Sequence, residues 1–411
     1  MYVYDLEVRR LRRVWRYTAA RPALFTQGVC CHGLCMIAKP PHRLGLHPTS
    51  YILFVLIRIF ASSVVFFAEF SLDLHAVCQY NEGVMDDELK EPALRAYHAM
   101  CMARAFDTKI SALYKAGKIF GGVFLGRGHE AIAACEAVFL TRGQDVYAPF
   151  IREMAGRCAW GGDAVLEAAR AYFGSAAGCM GGKDGNVHWG FPAEGTPAPI
   201  SHLGAMVAVV AGMVLAKRMQ GQQGCVGVAC IGDGTTSVGA THEACNLIAV
   251  EKLPVVVVVS NNQFAYSTPN SAEFACESLL DRGQGYGMAC HSCDGTDFLQ
   301  TLETMQRAIA AARAGEGPQW VVADTLRMCG HGEHDDAAYV PTQLKEQYED
   351  PLEVARRQLV EKGWLTDEAD AAWAEHCREE VQRLVAQAQR EPAPAPNAMD
   401  WNAVSWKPVR A

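Results

Sequence analysis

Apolar residues recur along residues 85–411 in two alternating rhythms. From Glu88 to Tyr114, the residues Leu89, Leu94, Tyr97, Met100 or Cys101, Ala105 and Ile110 fall near one face at helical spacing, which predicts an amphipathic helix ending before Gly117. A glycine-rich loop from Gly121 to Gly128 separates it from a second helical pattern, Glu130 to Leu140. Further on, a small-residue helix from Ala205 to Gln220 leads to the apolar run Val226 to Ile231, and a helix from Thr236 to Glu251 leads to the valine run Val255 to Ser260. Gln319 to Thr325 supplies another strand. Short apolar strands separated by helices make β-α-β units, so the prediction is an α/β fold with a central, mostly parallel sheet covered on both faces. Val360 to Gln389 reads as one charged, Ala-rich helix, and Pro392, Pro394 and Pro396 as a stiff extended exit.

The first 84 residues break this pattern. They carry nine basic and five acidic side chains, a net of +4 that leaves −12 for the remainder of a chain whose total is −8. Tyr51 to Phe70 is a 20-residue apolar run, long enough in principle to span a membrane. Arg58 in its middle disfavours that reading, at about 2.5–3.5 kcal/mol on insertion scales. A transit peptide is disfavoured because the first Ser is Ser50. The expectation is therefore a basic extension over 1–84 that is not part of the folded unit, with translation naturally beginning at Met85. A folded domain over 85–390 and a Pro-rich tail over 391–411 follow, without a membrane anchor.

Of the 411 residues, 50% are hydrophobic and 20% charged, the balance of a chain that buries a large core. The net charge of −8 excludes a bulk phosphate-backbone footprint, so no nucleic-acid partner is expected. The sixteen cysteines are scattered through apolar runs such as 226–231, which reads as reduced thiols in a cytoplasmic compartment rather than a disulfide scaffold.

Several motifs carry candidate chemistry. Gly126-Arg-Gly128-His-Glu-Ala131 fits a loose dinucleotide loop but follows no long strand, and Gly182-Lys183 lacks the Ser/Thr of a nucleotide-triphosphate loop. Cys290-His-Ser-Cys293 is one C-x-x-C without a second pair, which argues against zinc. The stronger constellation is Gly232-Asp233-Gly234 after one strand and Asn261-Asn262 after the next, 26 residues apart. In an open parallel sheet these turns face one crevice at the carboxyl ends of the strands. Asp233, the Asn262 amide oxygen and the backbone carbonyl of Phe264 supply three oxygens for Mg²⁺, which takes a few protein oxygens together with phosphate. The glycines beside Asp233, and a helix predicted to start near Thr235, would set N–H groups against an anion.

At these residues the chain resembles the alpha subunit of thiamine-diphosphate-dependent 2-oxo acid dehydrogenases, whose signature is Gly-Asp-Gly followed at such spacing by Asn-Asn. Gly128-His-Glu-Ala131, Arg152-Glu153, the glycine-rich stretch Gly182 to His188, Asn261 to Pro269 and Arg327 to Asp336 continue the series from about Glu88 to the tail. The resemblance implies a three-layer α/β/α thiamine-diphosphate-binding fold and Mg²⁺ on Asp233, Asn262 and the Phe264 carbonyl. It implies diphosphate contacts from Arg152, Gly234, Thr235 and His331, with Ser201 and Leu203 lining the cofactor. His331 is implied to be catalytic, assisting acyl transfer to lipoamide, a role that suits a near-neutral pKa. Also implied are a beta subunit supplying the activating Glu in an alpha₂beta₂ assembly, and a lipoyl-bearing acyltransferase. The 327 residues from Met85 onward are too few for both cofactor domains of a one-chain thiamine enzyme.

Departures touch the substrate. Ile151 stands where the family often has Tyr, His129 where it has Gln, Met206 where Gln is usual and Phe124 where pyruvate enzymes often have His. Ser201 resembles the branched-chain type. Gly332 occupies the place of a phosphorylated Ser in some relatives, which excludes modification there. Pyruvate is the expected 2-oxo acid, with a branched-chain 2-oxo acid or acetoin as alternatives. A membrane-anchored or non-catalytic binding protein on the same fold is the rival from another class.

Overall fold

The computed structural model describes residues 88–395. The predicted extension over 1–84, with Tyr51 to Phe70, and the end of the tail lie outside the described residues. No described helix is long and apolar enough to cross a membrane.

The elements follow in order: α1 (88–115), α2 (Glu130–Ala137), β1 (Val146–Ala148), α3 (Met154–Trp160), α4 (Ala164–Phe173), α5 (Ala205–Met219), β2 (Gly227–Gly232), α6 (Gly239–Val250) and β3 (Val255–Asn261). Then come β4 (Phe264–Ala265), β5 (Thr268–Pro269), α7 (Leu280–Gly285), β6 (Ala289–Asp294), α8 (Phe298–Arg313), β7 (Gln319–Asp324), α9 (Thr342–Lys345), α10 (Pro351–Glu361) and α11 (Asp367–Arg390). The main sheet has five strands in the order β1-β2-β3-β7-β6, and every described pairing in it is parallel.

Alternation along each strand makes the three layers. Val228, Cys230, Val256, Val258, Val321 and Ala323 face one core, shared with buried residues of α1, α2, α4, α8, α10 and α11. Their neighbours Ala229, Ile231, Val255, Val257, Val259, Trp320 and Val322 face a second core against α5 and α6. A strand buried on both sides has no polar face to show, which is why the valine run is uninterrupted. The winding enters from β1 through β2 to β3 at one edge and from β6 to β7 at the other. It reverses between β3 and β7, and crevices for ligands open at the carboxyl end of such a switch.

The predicted elements are present with two differences in their bounds. The helix expected over 360–389 is two, α10 and α11: Gly363 turns left-handed at φ 67° after α10, and Thr366 Oγ1 caps α11 by accepting from the Ala369 N–H at 3.2 Å. Helix α6 starts at Gly239 rather than near Thr235, after a 3₁₀ turn over Gly234–Ser237. The zinc-like Cys290 and Cys293 lie on strand β6, three residues apart, so they face opposite cores. The start of the tail is tied down: Glu391 pairs with Arg170 at 2.7 Å and accepts from Ser175 Oγ at 2.6 Å.

Candidate active site

Adjacent strand ends bring the motif residues together. Gly232 and Ser260 are register partners on β2 and β3, so Asp233 and Asn262 emerge side by side from the sheet. Both are buried, at 2% and 3% exposure. Asp233 Oδ1 accepts from the Gly234 N–H at 2.9 Å, whereas Asp233 Oδ2 and Asn262 Oδ1 have no partner among the described residues. Two neighbouring buried oxygens, both acceptors and both without a donor, fit a hard divalent cation. Phe264, on β4, accepts on its carbonyl from Arg327 Nη1 at 3.3 Å and lies between Gln263 and Tyr266, which are in left-handed backbone at φ 75° and 55°. Non-glycine residues held there carry strain, which structures keep where a turn must place particular groups.

Burial, with the Glu273 carboxylate beside it, pushes Asp233 up to about 7. Glu273 is a residue that sequence reasoning missed: its Oε1 accepts from the Ala265 N–H at 2.6 Å and its Oε2 is buried without a partner. Gly234 is required by close approach, since a Cβ there would meet the Ala265 Cβ at 2.5 Å. Thr235 is buried, and its carbonyl accepts from Thr241 Oγ1 at 2.8 Å.

Arg152 and His331 meet directly. Arg152 donates from Nη1 to the Leu125 carbonyl at 3.0 Å and from Nη2 to the His331 carbonyl at 3.3 Å, leaving Nε buried and unpaired. The His331 ring packs edge-on against Tyr266 at 4.7 Å and Phe124 at 5.4 Å. Asp335 holds its loop, accepting from the His331 N–H at 2.6 Å and from Tyr339 Oη at 2.7 Å. Burial, then the charges of Arg152 and Arg327, push His331 down to about 4, below the near-neutral value expected from the sequence. Arg327, also missed, fastens the two loops by donating to the carbonyls of Phe264 at 3.3 Å and Tyr266 at 2.8 Å.

Ser201 and Leu203 stand apart in an exposed loop, where Ser201 Oγ lies 3.5 Å from His188 Nε2 and Leu203 is 52% exposed. The Gly126–Gly128 loop has its N–H groups committed to carboxylates, Gly126 to Asp107 at 2.7 Å and Gly128 to Glu130 at 2.8 Å, so they are not offered to a phosphate.

Residues 97–397 match the dehydrogenase E1 component family. The chain belongs to that family. It is 30% identical over 323 residues to the 2-oxoisovalerate dehydrogenase subunit alpha of Bacillus subtilis, covering 78% of this chain and 96% of the relative. It is 31% identical over 311 residues to the pyruvate dehydrogenase E1 component subunit alpha of Zymomonas mobilis, covering 74% and 86%. The alpha subunit of acetoin:2,6-dichlorophenolindophenol oxidoreductase from Bacillus subtilis is 32% identical over 282 residues, covering 69% and 83%. The E1 relatives thus span three substrate types at nearly equal identity, so identity does not choose among them. The parallel sheet and its two helical layers are those expected of an E1 alpha chain.

Proposed function

We propose that this chain is the alpha subunit of an E1 enzyme that decarboxylates pyruvate oxidatively with thiamine diphosphate and Mg²⁺, passing the acyl group to a lipoyl arm. The observation that carries the reading is the pair of buried oxygens without donors, Asp233 Oδ2 and Asn262 Oδ1, at adjacent strand ends. Asp233, Asn262 and the Phe264 carbonyl would hold Mg²⁺, with Gly234, Thr235, Arg152 and His331 against the diphosphate. Arg152 brings an unpaired Nε–H on a planar cation suited to phosphate oxygens. When bound, thiamine diphosphate supplies the carbanion chemistry, and the protein supplies placement and charge.

Within this chain, Arg327 and Asp335 fix the loops on which Phe264 and His331 sit. His331 has its charge suppressed by Arg152 and Arg327. An anion between these groups offsets their repulsion, and His331 then rises towards the range in which imidazole moves protons during acyl transfer. Exposed Ser201 and Leu203 suit a surface completed by a second chain, here a beta subunit that brings the activating Glu in an alpha₂beta₂ assembly. A lipoyl-bearing acyltransferase is the further partner. A branched-chain 2-oxo acid is the second reading, supported by Ser201 and by Phe124, whose ring rather than an imidazole meets His331.

The test is reduction of an artificial electron acceptor by the chain co-purified with its beta subunit, on pyruvate, branched-chain 2-oxo acids and acetoin, with and without thiamine diphosphate and Mg²⁺. Turnover of pyruvate dependent on both cofactors supports the proposal. Turnover of another substrate alone replaces pyruvate, and equal turnover without the cofactors refutes the reading.

A further inference from the structure

Five residues beyond Arg152 on α3, Arg157 lines a small cavity with room for about 20 Å³, enough for one water-sized or halide-sized body. Its inner wall is Tyr147, Arg157, Trp189 and Thr196, all of them 5% exposed or less. Arg157 Nε and Nη2, Trp189 Nε1 and Thr196 Oγ1 have no hydrogen-bond partner among the described residues. The guanidinium of Arg157 lies over the Trp189 ring, 4.8 Å from its centroid, and Nη1 donates to the Trp189 carbonyl at 3.4 Å. Tyr147 Oη is already used, donating to Glu136 Oε2 at 3.3 Å.

The chemistry of these atoms is one-sided. Guanidinium and indole N–H groups only donate, and the threonine hydroxyl can donate as well. A water placed among them would find three N–H donors competing for its two lone pairs, with the Thr196 and Tyr147 hydroxyls to receive its protons, whereas an anion accepts from the three N–H groups and the Thr196 hydroxyl together. A buried cation also needs a counter-charge. Glu153 on its own segment faces Arg157 electrostatically, but it has its Oε2 on the Phe150 N–H, makes no hydrogen bond to Arg157 and is pushed by burial up to about 7, so it only partly offsets the guanidinium. The two acids that line the cavity, Asp163 and Glu194, belong to its solvent side: Asp163 is exposed and Glu194 is paired with Arg142.

We infer that this cavity is a built site for one monovalent anion of halide size, held by Arg157, Trp189 and Thr196. Chloride is the abundant ion of that class. The ion joins α3, which follows the segment carrying Arg152, to the turn closed by the Phe191–Thr196 bridge, five residues before exposed Ser201. It thereby fixes the base of the exposed loop that carries Ser201. The inference does not depend on which reaction the chain performs.

Crystals of the full-length chain soaked in bromide test it by anomalous diffraction at the bromine edge. The expected result is one peak within hydrogen-bond reach of Arg157 Nη2 and Trp189 Nε1, absent in R157Q. Should R157Q fail to fold, W189F removes the indole donor while keeping an aromatic ring beneath Arg157, and it is expected to lower the peak by at least half. A wild-type cavity holding only water, or a peak undiminished in the variants that fold, overturns the inference.

Discussion

At the carboxyl ends of β2 and β3, Asp233 and Asn262 each keep a buried oxygen without a donor, whereas three residues earlier on the same strand Cys230 enters a cluster in which Glu136 and Glu153 each have one oxygen supplied with donors and one, Oε1, without. There Cys230 Sγ donates to Glu136 Oε2 at 2.8 Å, Tyr147 Oη donates to the same oxygen, and the Phe150 N–H donates to Glu153. The ligand-type atoms of Glu136, Glu153 and Cys230 lie within 4.8 Å of one another. Burial drives all three towards their protonated forms, Glu136 and Cys230 well upwards and Glu153 up to about 7. A protonated carboxyl donates as well as accepts, so a neutral cluster can satisfy itself. Asp233 is raised too, with Oδ1 held by the Gly234 N–H but Oδ2 without a partner and the Glu273 carboxylate beside it. Under the proposed function, equal burial has two outcomes: the Glu136–Glu153–Cys230 cluster stays neutral and structural, and Asp233 takes a cation.

Substitutions at the two places should separate these outcomes. Asp233→Asn is expected to abolish metal-dependent binding of thiamine diphosphate, by more than the roughly 10–100-fold that loss of a group supporting a metal ligand costs. The unliganded chain should keep or gain stability, because a buried charge is removed. Calorimetry and a denaturant titration read the two effects. Glu136→Ala should do the reverse, leaving Cys230 and Tyr147 without an acceptor and costing about 3 kcal/mol of stability, at about 1–3 kcal/mol per stranded group. Its cofactor affinity per folded molecule should stay unchanged.

A pH series sharpens the contrast further. Asp233 and Glu153 have folded values near 7 against ordinary values of 3.8 and 4.5, so the folded state binds more protons between those limits. Their contribution to stability is fully present below the ordinary values and is lost as pH rises to about 7. Unfolding of the unliganded chain should show that decline, and Mg²⁺ with thiamine diphosphate should reverse Asp233's share of it, since the cation favours the ionised carboxylate. The smallest effect belongs to exposed pairs outside both regions. Glu349→Ala, which removes the exposed Arg357 pair at 2.9 Å, should leave the unfolding midpoint nearly unchanged, and in high salt unchanged.

How far the sequence could be read followed the same physics. β2, β3 and β7 were legible because strands buried on both faces are continuous apolar runs, and the Gly-Asp-Gly and Asn-Asn turns were legible because they sit at the ends of two of them. β6 was not, since Ala289–Asp294 is an edge strand with mixed exposure and polar residues along it. The break between α10 and α11 was signalled by Gly363 and Thr366 but outweighed by the charged, Ala-rich composition on both sides. Arg327 was unreadable as the clamp on Phe264 because that contact joins loops 63 residues apart, which no local pattern encodes. Glu273 escaped for a related reason: its place beside Asp233 depends on how the segment after β5 folds back over Gly234.

The most direct test of the central claim is calorimetric titration of thiamine diphosphate into the chain co-purified with its beta subunit, with and without Mg²⁺, for the wild type and for Asp233→Asn. The account predicts tight binding only when both Mg²⁺ and Asp233 are present. Equal affinity without the metal, or in the variant, would contradict it.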